Sequence, residues 1–445
     1  MSDVINAFPG YEFKNGANLY RGTNLGKGGY IVSNPGIYGN VALLDVASLH
    51  PHSILAMNCF GEYTQHFKDI LDARIAIKHG DYDSAKHMLN GRLAPYLKDE
   101  STAKDLAQAL KIAINSVYGL TAANFDNPFR DVRNKNNIVA LRGSLFMRTL
   151  QDEVENRGFK IVAIKTDSIK IADATKEIID FCMEFAKKYS YAFEFEAFYD
   201  KICQINDADY IARYKDGDWC KERFGFVPGD NVKHAGQWTA TGKQFAVPYV
   251  FKTLFSKEQI VADDLCETFS VKSALYLDMN EKLPDVSTYE KELEKLEDKY
   301  KKGKLSDTTF EKESAKLVPL IEEGHDYHFI GKVGRFTPIK PGRGGGVLCR
   351  EQNGKYYAPA GTTGFRWLES EMISNDIFDL VDESFYRTMV DDRIADISQY
   401  GDFEWFASDD PYIGPEPVPM FMNIPEGCPE ELPWDEDDPN YIPFK

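Results

Sequence analysis

Two periods of apolar residues alternate along this chain and mark its elements. The run Val41–Leu44 is continuous and of strand length; it delivers Asp45 to a strand end, and Pro51 then forces the chain off the strand. A helical pattern follows, with Arg74 and Lys78 four apart on one face, and it ends near His79-Gly80. Ser101 or Thr102 can cap the next predicted helix, which runs through AKDLAQALKIAINSVYG and stops around Gly119. Within it Lys111, Asn115 and Tyr118 form one stripe, where a core-facing helix would carry apolar side chains, so the stripe reads as ligand-facing. Ile138, Leu141, Leu145 and Leu150 mark a scaffold helix from about Asn137 to Arg157, with Gly158 at its end. Two strand-like runs, Lys160–Lys165 and Ser168–Ala172, then flank Thr166-Asp167, which predicts a hairpin with Asp167 at its tip.

The pattern changes later in the chain. Residues 287–323 form two very polar helical segments joined by KKGKLSD, an exposed helical hairpin that reads as a solvated spacer, with partner docking as the alternative. GKVGRFTPIKPGRGGG follows, then a hairpin turning at Asn353-Gly354. Residues 1 to 40 are rich in Gly and Asn, and GKGGY at 26–30 marks an irregular approach to the first strand.

Composition sets bounds on these elements. A length of 445 residues gives a prior of about three domains, and 43% apolar residues are ample for packed cores. No segment approaches the ~20 apolar residues that span a bilayer, and MSDVINAFPGYEF has neither a basic nor an apolar leader region. The expectation is a cytoplasmic protein with no membrane partner. Seven cysteines without a CxxC pair indicate neither a disulfide framework nor a zinc site.

The net charge of −18 argues at first against a nucleic-acid partner, but its distribution matters more. Phe329 to Arg350 contains no acid, while Lys332, Arg335, Lys340 and Arg343 stand among glycines, a composition suited to duplex backbone contact or to an ordinary surface loop. Ile424 to Phe444 carries seven acids and reads as a disordered tail.

Alone, Asp45 and Asp167 each read as turn or cap aspartates, and Arg74 with Lys78 as a solvated helix edge. Together, two carboxylates presented from distant strands can share Mg²⁺, which keeps several waters and is held by one or two carboxylates plus substrate phosphates. No Ser/His/Asp or Cys/His constellation competes with this chemistry.

Three ordered patterns resemble the B-family DNA polymerases, most closely those of bacteriophages. DVASLHP at Asp45–Pro51 resembles DxxSLYP, KIAINSVYG at Lys111–Gly119 matches KxxxNSxYG, and KTDS at Lys165–Ser168 is similar to DTDS. The resemblance runs from about Gly28 to about Phe255. It implies an α/β polymerase right hand. Its palm, with an antiparallel sheet, would be residues 1–65 and 124–240, and the helical fingers 66–123. A mixed thumb would span 241–423, with the helical hairpin and basic loop, before the acidic tail 424–445.

By this resemblance Asp45 and Asp167 are the catalytic metal ligands, helped by the carbonyl of Val46, and they hold two Mg²⁺ ions, with Mn²⁺ as a substitute. Arg74 and Lys78 would meet the triphosphate, Lys111, Asn115, Ser48 and Leu49 the incoming nucleotide, and Tyr118 the nascent base pair. Primer–template DNA and dNTP are the implied partners, and the reaction is dNMP addition to a primer 3′-hydroxyl in phage DNA replication. Tyr210, Arg213 and the basic residues Lys332, Arg335, Lys340 and Arg343 would contact DNA.

The sequence departs from the family pattern at three places. His50 stands where the family has its ribose-excluding tyrosine, Lys165 replaces the first Asp of DTDS, and the KKRY-like segment reads Asp207-Ala208-Asp209-Tyr210, without its lysine. Arg213 or Lys215 is the expected substitute cation. Only Asp3 and Glu12 are acidic before Asp45, too few for the family's acidic exonuclease domain, so a separate exonuclease polypeptide docking near residues 1 to 40 is expected. The alternatives are a catalytically impaired, DNA-binding polymerase-like subunit, or another nucleotidyltransferase such as a primase or reverse transcriptase.

Overall fold

The run that ends on Asp45 is longer than its apolar core, extending as one strand from Gly36 to Val46 in the computed structural model. The description covers residues 2–121, 123–127, 137–242, 244–280, 283–322, 324–373 and 377–413, with the side chains of residues 2, 3, 5 and 283–288 outside it. The acidic tail expected at 424–445 lies outside the described residues. By its contacts the chain divides into two units, Met1–Thr239 with Asp409–Lys445, and Ala240–Ser408. Both are mixed α/β with antiparallel sheets.

In the first unit a small sheet, β1 (Glu12–Lys14), β2 (Ala17–Tyr20) and β3 (Thr23–Asn24), precedes the main one. The main sheet comprises β4 (Ile31–Ser33), β5 (Gly36–Val46), β6 (Ile161–Lys165), β7 (Ser168–Ile171), β8 (Phe193–Gln204), β9 (Tyr210–Tyr214) and β10 (Trp238–Thr241). Its strand order is β10-β9-β8-β5-β7-β6-β4, so the strand carrying Asp45 lies between β8 and β7. Side chains alternate across a strand, so each strand serves two faces. On one face Leu44, Val46, Ile164, Ile169 and Phe195 join a large core with residues of the Leu49–Ala56, Ile138–Asn156 and Lys176–Lys187 helices. On the other, Leu43, Ala197, Tyr199 and Tyr214 belong to a smaller cluster.

The helical excursion between β5 and β6 includes the Thr64–Lys78 and Glu100–Thr121 helices, and their inward faces share the cluster of Ala73, Ile77, Leu93 and Ala103. Two expectations are corrected here. The second helix is capped by Asp99, whose carboxylate accepts from the main-chain N–H of Thr102 at 2.8 Å, and not by Ser101 or Thr102. It also continues past Gly119 to Thr121, because this glycine sits at an exposed position inside the helix rather than at a left-handed cap.

The second unit contains a five-stranded sheet in the order β14-β13-β11-β12-β15, where β11 is Glu267–Asp278, β12 Tyr327–Ile339, β13 Val347–Gln352, β14 Lys355–Tyr357 and β15 Arg366–Glu369. Leu275, Phe336, Leu348, Trp367 and Phe385 form its core. Between β11 and β12 the chain leaves the sheet for the Leu283–Lys301 and Asp307–Glu322 helices. Tyr300 stacks on Phe310 at 4.4 Å and joins the two helices near their turn. The Asn353-Gly354 turn joins β13 to β14 with positive φ at both residues (55° and 74°), the geometry of a tight hairpin.

Candidate active site

Strand pairing brings the two sequence-distant aspartates together. Asp45 on β5 pairs with Ser168 on β7, the residue after Asp167, and the main-chain N–H of Val46 donates to the carbonyl of Asp167 at 2.8 Å. Thr166 turns the β6–β7 tip with φ of 61°, which presents Asp167 at the strand end. The approach segment fixes that tip. The Thr166 N–H donates to the Tyr30 carbonyl at 2.9 Å, and a Cβ on Gly29 would lie 2.2 Å from the Thr166 hydroxyl oxygen, so only glycine allows this approach. Ser144 on the scaffold helix donates to the Gly28 carbonyl at 2.9 Å, tying the same segment to the core.

The carboxylates sit in a field that disfavours their charge. Burial, then Asp167, Glu196 and Glu194, push the Asp45 carboxyl up to about 7, with Lys78 opposing. Burial likewise raises Asp167, against a main-chain hydrogen bond and His50. Glu194 is the cross-strand neighbour of Asp45 on β8. A cluster of this kind is stabilised by a bound cation. Among the described residues no three His, Cys, Asp or Glu side chains gather in the geometry of a metal site.

A cavity of about 480 Å³ opens between the Thr64–Lys78 and Glu100–Thr121 helices, and Arg74, Lys78, Lys104, Gln108 and Lys111 line it. Three cations assigned from the sequence therefore converge. Their partners differ. Arg74 donates to the Ser48 hydroxyl at 3.3 Å, and its Nε is buried without a hydrogen-bond partner among the described residues. Lys78 is held by Glu194 at 2.6 Å, and Lys104 by Glu100 at 2.6 Å. Lys111 and Asn115 are exposed on the same helix.

His50 stacks on Tyr118 with ring centroids 4.6 Å apart and an interplanar angle of 24°. The Tyr118 hydroxyl donates to Asn137 at 2.9 Å, and Asn137 donates to the Lys27 carbonyl at 2.9 Å. Burial lowers the basicity of His50, with Asp167 opposing, and its Nδ1 has no hydrogen-bond partner among the described residues. The ring is thus a planar surface held in position by Tyr118. Ser48 caps the following helix in a left-handed conformation, while Leu49 is buried against Gly143 and its side chain packs in the core.

The expected DNA contacts fare unevenly. Tyr210 is half-buried on β9, but Arg213 is buried and shares Asp200 with Lys215, whose ammonium lies 2.8 Å from that carboxylate. Arg213 also donates to the Asp410 carbonyl at 3.2 Å, so its donors are committed inside the protein. In the second unit Lys332, Arg335, Lys340 and Arg343 are exposed; Arg335 meets Asp263 at 2.6 Å, and Lys340 donates to the Asp379 carbonyl at 3.0 Å.

Sequence reasoning missed Glu194, Glu196, Lys104 and Lys170. The alternation FEFEAF on β8 carries a signal for the first two, since it sets both glutamates on one face opposite Phe193 and Phe195.

Over 176 aligned residues, 34% of this chain, the sequence is 30% identical to DNA polymerase II of Escherichia coli (strain K12), and the match spans 21% of that protein's length. Among solved structures, the family B DNA polymerase from the hyperthermophilic archaeon Pyrobaculum calidifontis matches with a TM-score of 0.38 and 12% identity, over 82% of this chain and 46% of that one. No family model matches the chain.

Proposed function

We propose that this chain is the polymerase portion of a B-family DNA polymerase of bacteriophage type, which adds dNMP from a dNTP to a primer 3′-hydroxyl on a DNA template. The observation that carries this reading is the meeting of Asp45, near the end of β5, with Asp167, at the tip of the β6–β7 hairpin, with Lys78 linking their surroundings to the Arg74–Lys111 cavity. The similarity to the E. coli polymerase, over a third of the chain, supports it.

Asp45, Asp167 and the Val46 carbonyl would hold two Mg²⁺ ions, with Mn²⁺ as a substitute. The donor set fits, because two hard carboxylate oxygens in a field that resists their ionisation match what a divalent cation compensates. When bound, the metal activates the attacking oxygen and stabilises the leaving one. The protein's own residues bind and orient the rest. Arg74 and Lys111 hold the triphosphate, Lys78 exchanges Glu194 for a phosphate oxygen, and Asn115 meets the nucleotide. The His50 ring, backed by Tyr118, bounds the sugar side. Residues 1–65 and 124–240 act as palm, 66–123 as fingers, and 241–423 as thumb, with Lys332, Arg335, Lys340 and Arg343 toward the duplex backbone.

Primer extension on a DNA template with dNTP and Mg²⁺ tests the reading, with an RNA template as the second arm. Extension on DNA is expected. Tight binding of primer–template without extension would instead make the chain a DNA-binding subunit.

A further inference from the structure

Lys170 lies on β7, two residues beyond Ser168. Ser168 pairs with Asp45 and Lys170 with Leu43, so all four side chains share the face of the sheet that bears the aspartate. Lys170 is only 7% exposed. Its ammonium lies 4.1 Å from the centre of the Tyr210 ring. Strands β7 and β9 are separated in the sheet by β5 and β8, so the two side chains meet across the face of those strands. Among the described residues the ammonium makes no hydrogen bond to a protein acceptor. Burial brings it down to about 8, Lys165 pushes in the same direction, and Glu196 opposes.

An ammonium that keeps little water and no protein acceptor is unfavourable, and a ring face compensates only part of the lost hydration. The side chain is therefore set up for an anion that arrives from outside. Arg213, on the strand of Tyr210, and Lys215, just beyond it, are not free to take that role, since both bind Asp200. The cations around the Arg74 cavity stand on helices, whereas Lys170 and the exposed Lys165 stand on the β6–β7 hairpin that carries Asp167.

We infer that Lys170, held by the face of Tyr210 and assisted by Lys165, is the seat for one backbone phosphodiester of the primer strand close to its 3′ end. This rests on the polymerase reading above. Lys170 is a substrate-binding residue in this scheme. It fixes the primer strand beside the two aspartates.

The test is binding of primer–template by fluorescence anisotropy, with a neutral methylphosphonate placed singly at each of the last few primer linkages. In the wild-type protein one linkage should weaken binding by roughly tenfold, in keeping with one charge-assisted contact. Lys170→Met should weaken binding of the unmodified primer to a similar extent and no longer respond to that methylphosphonate, and Lys170→Arg should restore the response. The slope of log Kd against log salt should fall by about 0.9 in Lys170→Met. A uniform wild-type profile, or an unchanged profile in Lys170→Met, would overturn the seat; the wild-type scan decides this even if the variant does not fold. The assay needs no turnover. A chain that does not extend primers but shows the coupling loses the polymerase reading and keeps the phosphate seat, while an active polymerase without the coupling loses only the seat.

Discussion

Both carboxylate oxygens of Glu194 lie against the ammonium of Lys78, at 2.8 and 2.6 Å. Glu194 is also the cross-strand partner of Asp45, so the cation assigned to a triphosphate rests on a carboxylate one strand from an expected metal ligand. A phosphate must compete with Glu194 for Lys78. Glu194→Gln should therefore lower the dNTP KM by about two- to fivefold, because a half-exposed ion pair is worth up to ~1 kcal/mol. Lys78→Ala should raise it. Steady-state extension at varied dNTP provides the reading, and an unchanged KM in Glu194→Gln would separate Lys78 from the triphosphate.

Asp45→Asn and Asp167→Asn should each reduce extension about a thousandfold, a loss of ~4 kcal/mol of transition-state stabilisation. Thermal stability should hold or rise, since burial and like charges already disfavour both ionised carboxylates. Near-normal extension by either variant would remove the metal assignment.

His50 is braced by Tyr118 and turns a planar face to the site. His50→Ala should raise the ratio of rNTP to dNTP incorporation by about tenfold, equivalent to ~1.4 kcal/mol of lost steric discrimination, while dNTP extension persists. Single-turnover incorporation of matched nucleotides measures it. An unchanged ratio would place sugar selection elsewhere.

Gly29→Ala tests how the tip that carries Asp167 is positioned. The new methyl group would meet both the hydroxyl oxygen and the Cβ of Thr166, at 2.2 and 2.7 Å, so the tip must move. Overpacking of this kind costs ~1–3 kcal/mol, and the extension rate should fall more than tenfold with circular dichroism nearly unchanged. Thr166→Gly should restore much of the rate in the Gly29→Ala background.

In the second unit the imidazole of His325 hydrogen-bonds Asp278 at the root of the helical excursion. That bond raises His325, with burial opposing; burial works against Asp278 too, yet hydrogen bonds from His325, Asp326 and Asn280 hold it below the usual carboxylate range. The raised histidine contributes stability that is complete below its unfolded pKa of ~6.5 and is lost as pH rises through its folded value. The depressed aspartate contributes stability above its unfolded ~3.9, lost as pH falls through its folded value. The clamp is therefore strongest from about pH 4 to 6.5, and the thermal midpoint of the transition reporting on this unit should fall as pH rises above about 6.5. His325→Gln should flatten that decline; an identical slope in the variant would rule out the clamp.

The sequence by itself determined the elements that depend on neighbours along the chain. The Val41–Leu44 run, the turn at Thr166-Asp167, the Ile138–Asn156 helix and the turn at Asn353-Gly354 all follow from apolar period and turn chemistry within a few residues. The stripe of Lys111, Asn115 and Tyr118 was legible for the same reason, since helical spacing alone puts those side chains on one face. Tertiary structure decided which charges remain free to meet a ligand. Arg213 and Lys215 look available in sequence but share buried Asp200, and Lys78 rests on Glu194. Lys170 looks like an ordinary strand residue until β9 brings Tyr210 over it. These relations depend on strand register between segments far apart in the chain, and register is set by the packing of whole faces rather than by any local pattern.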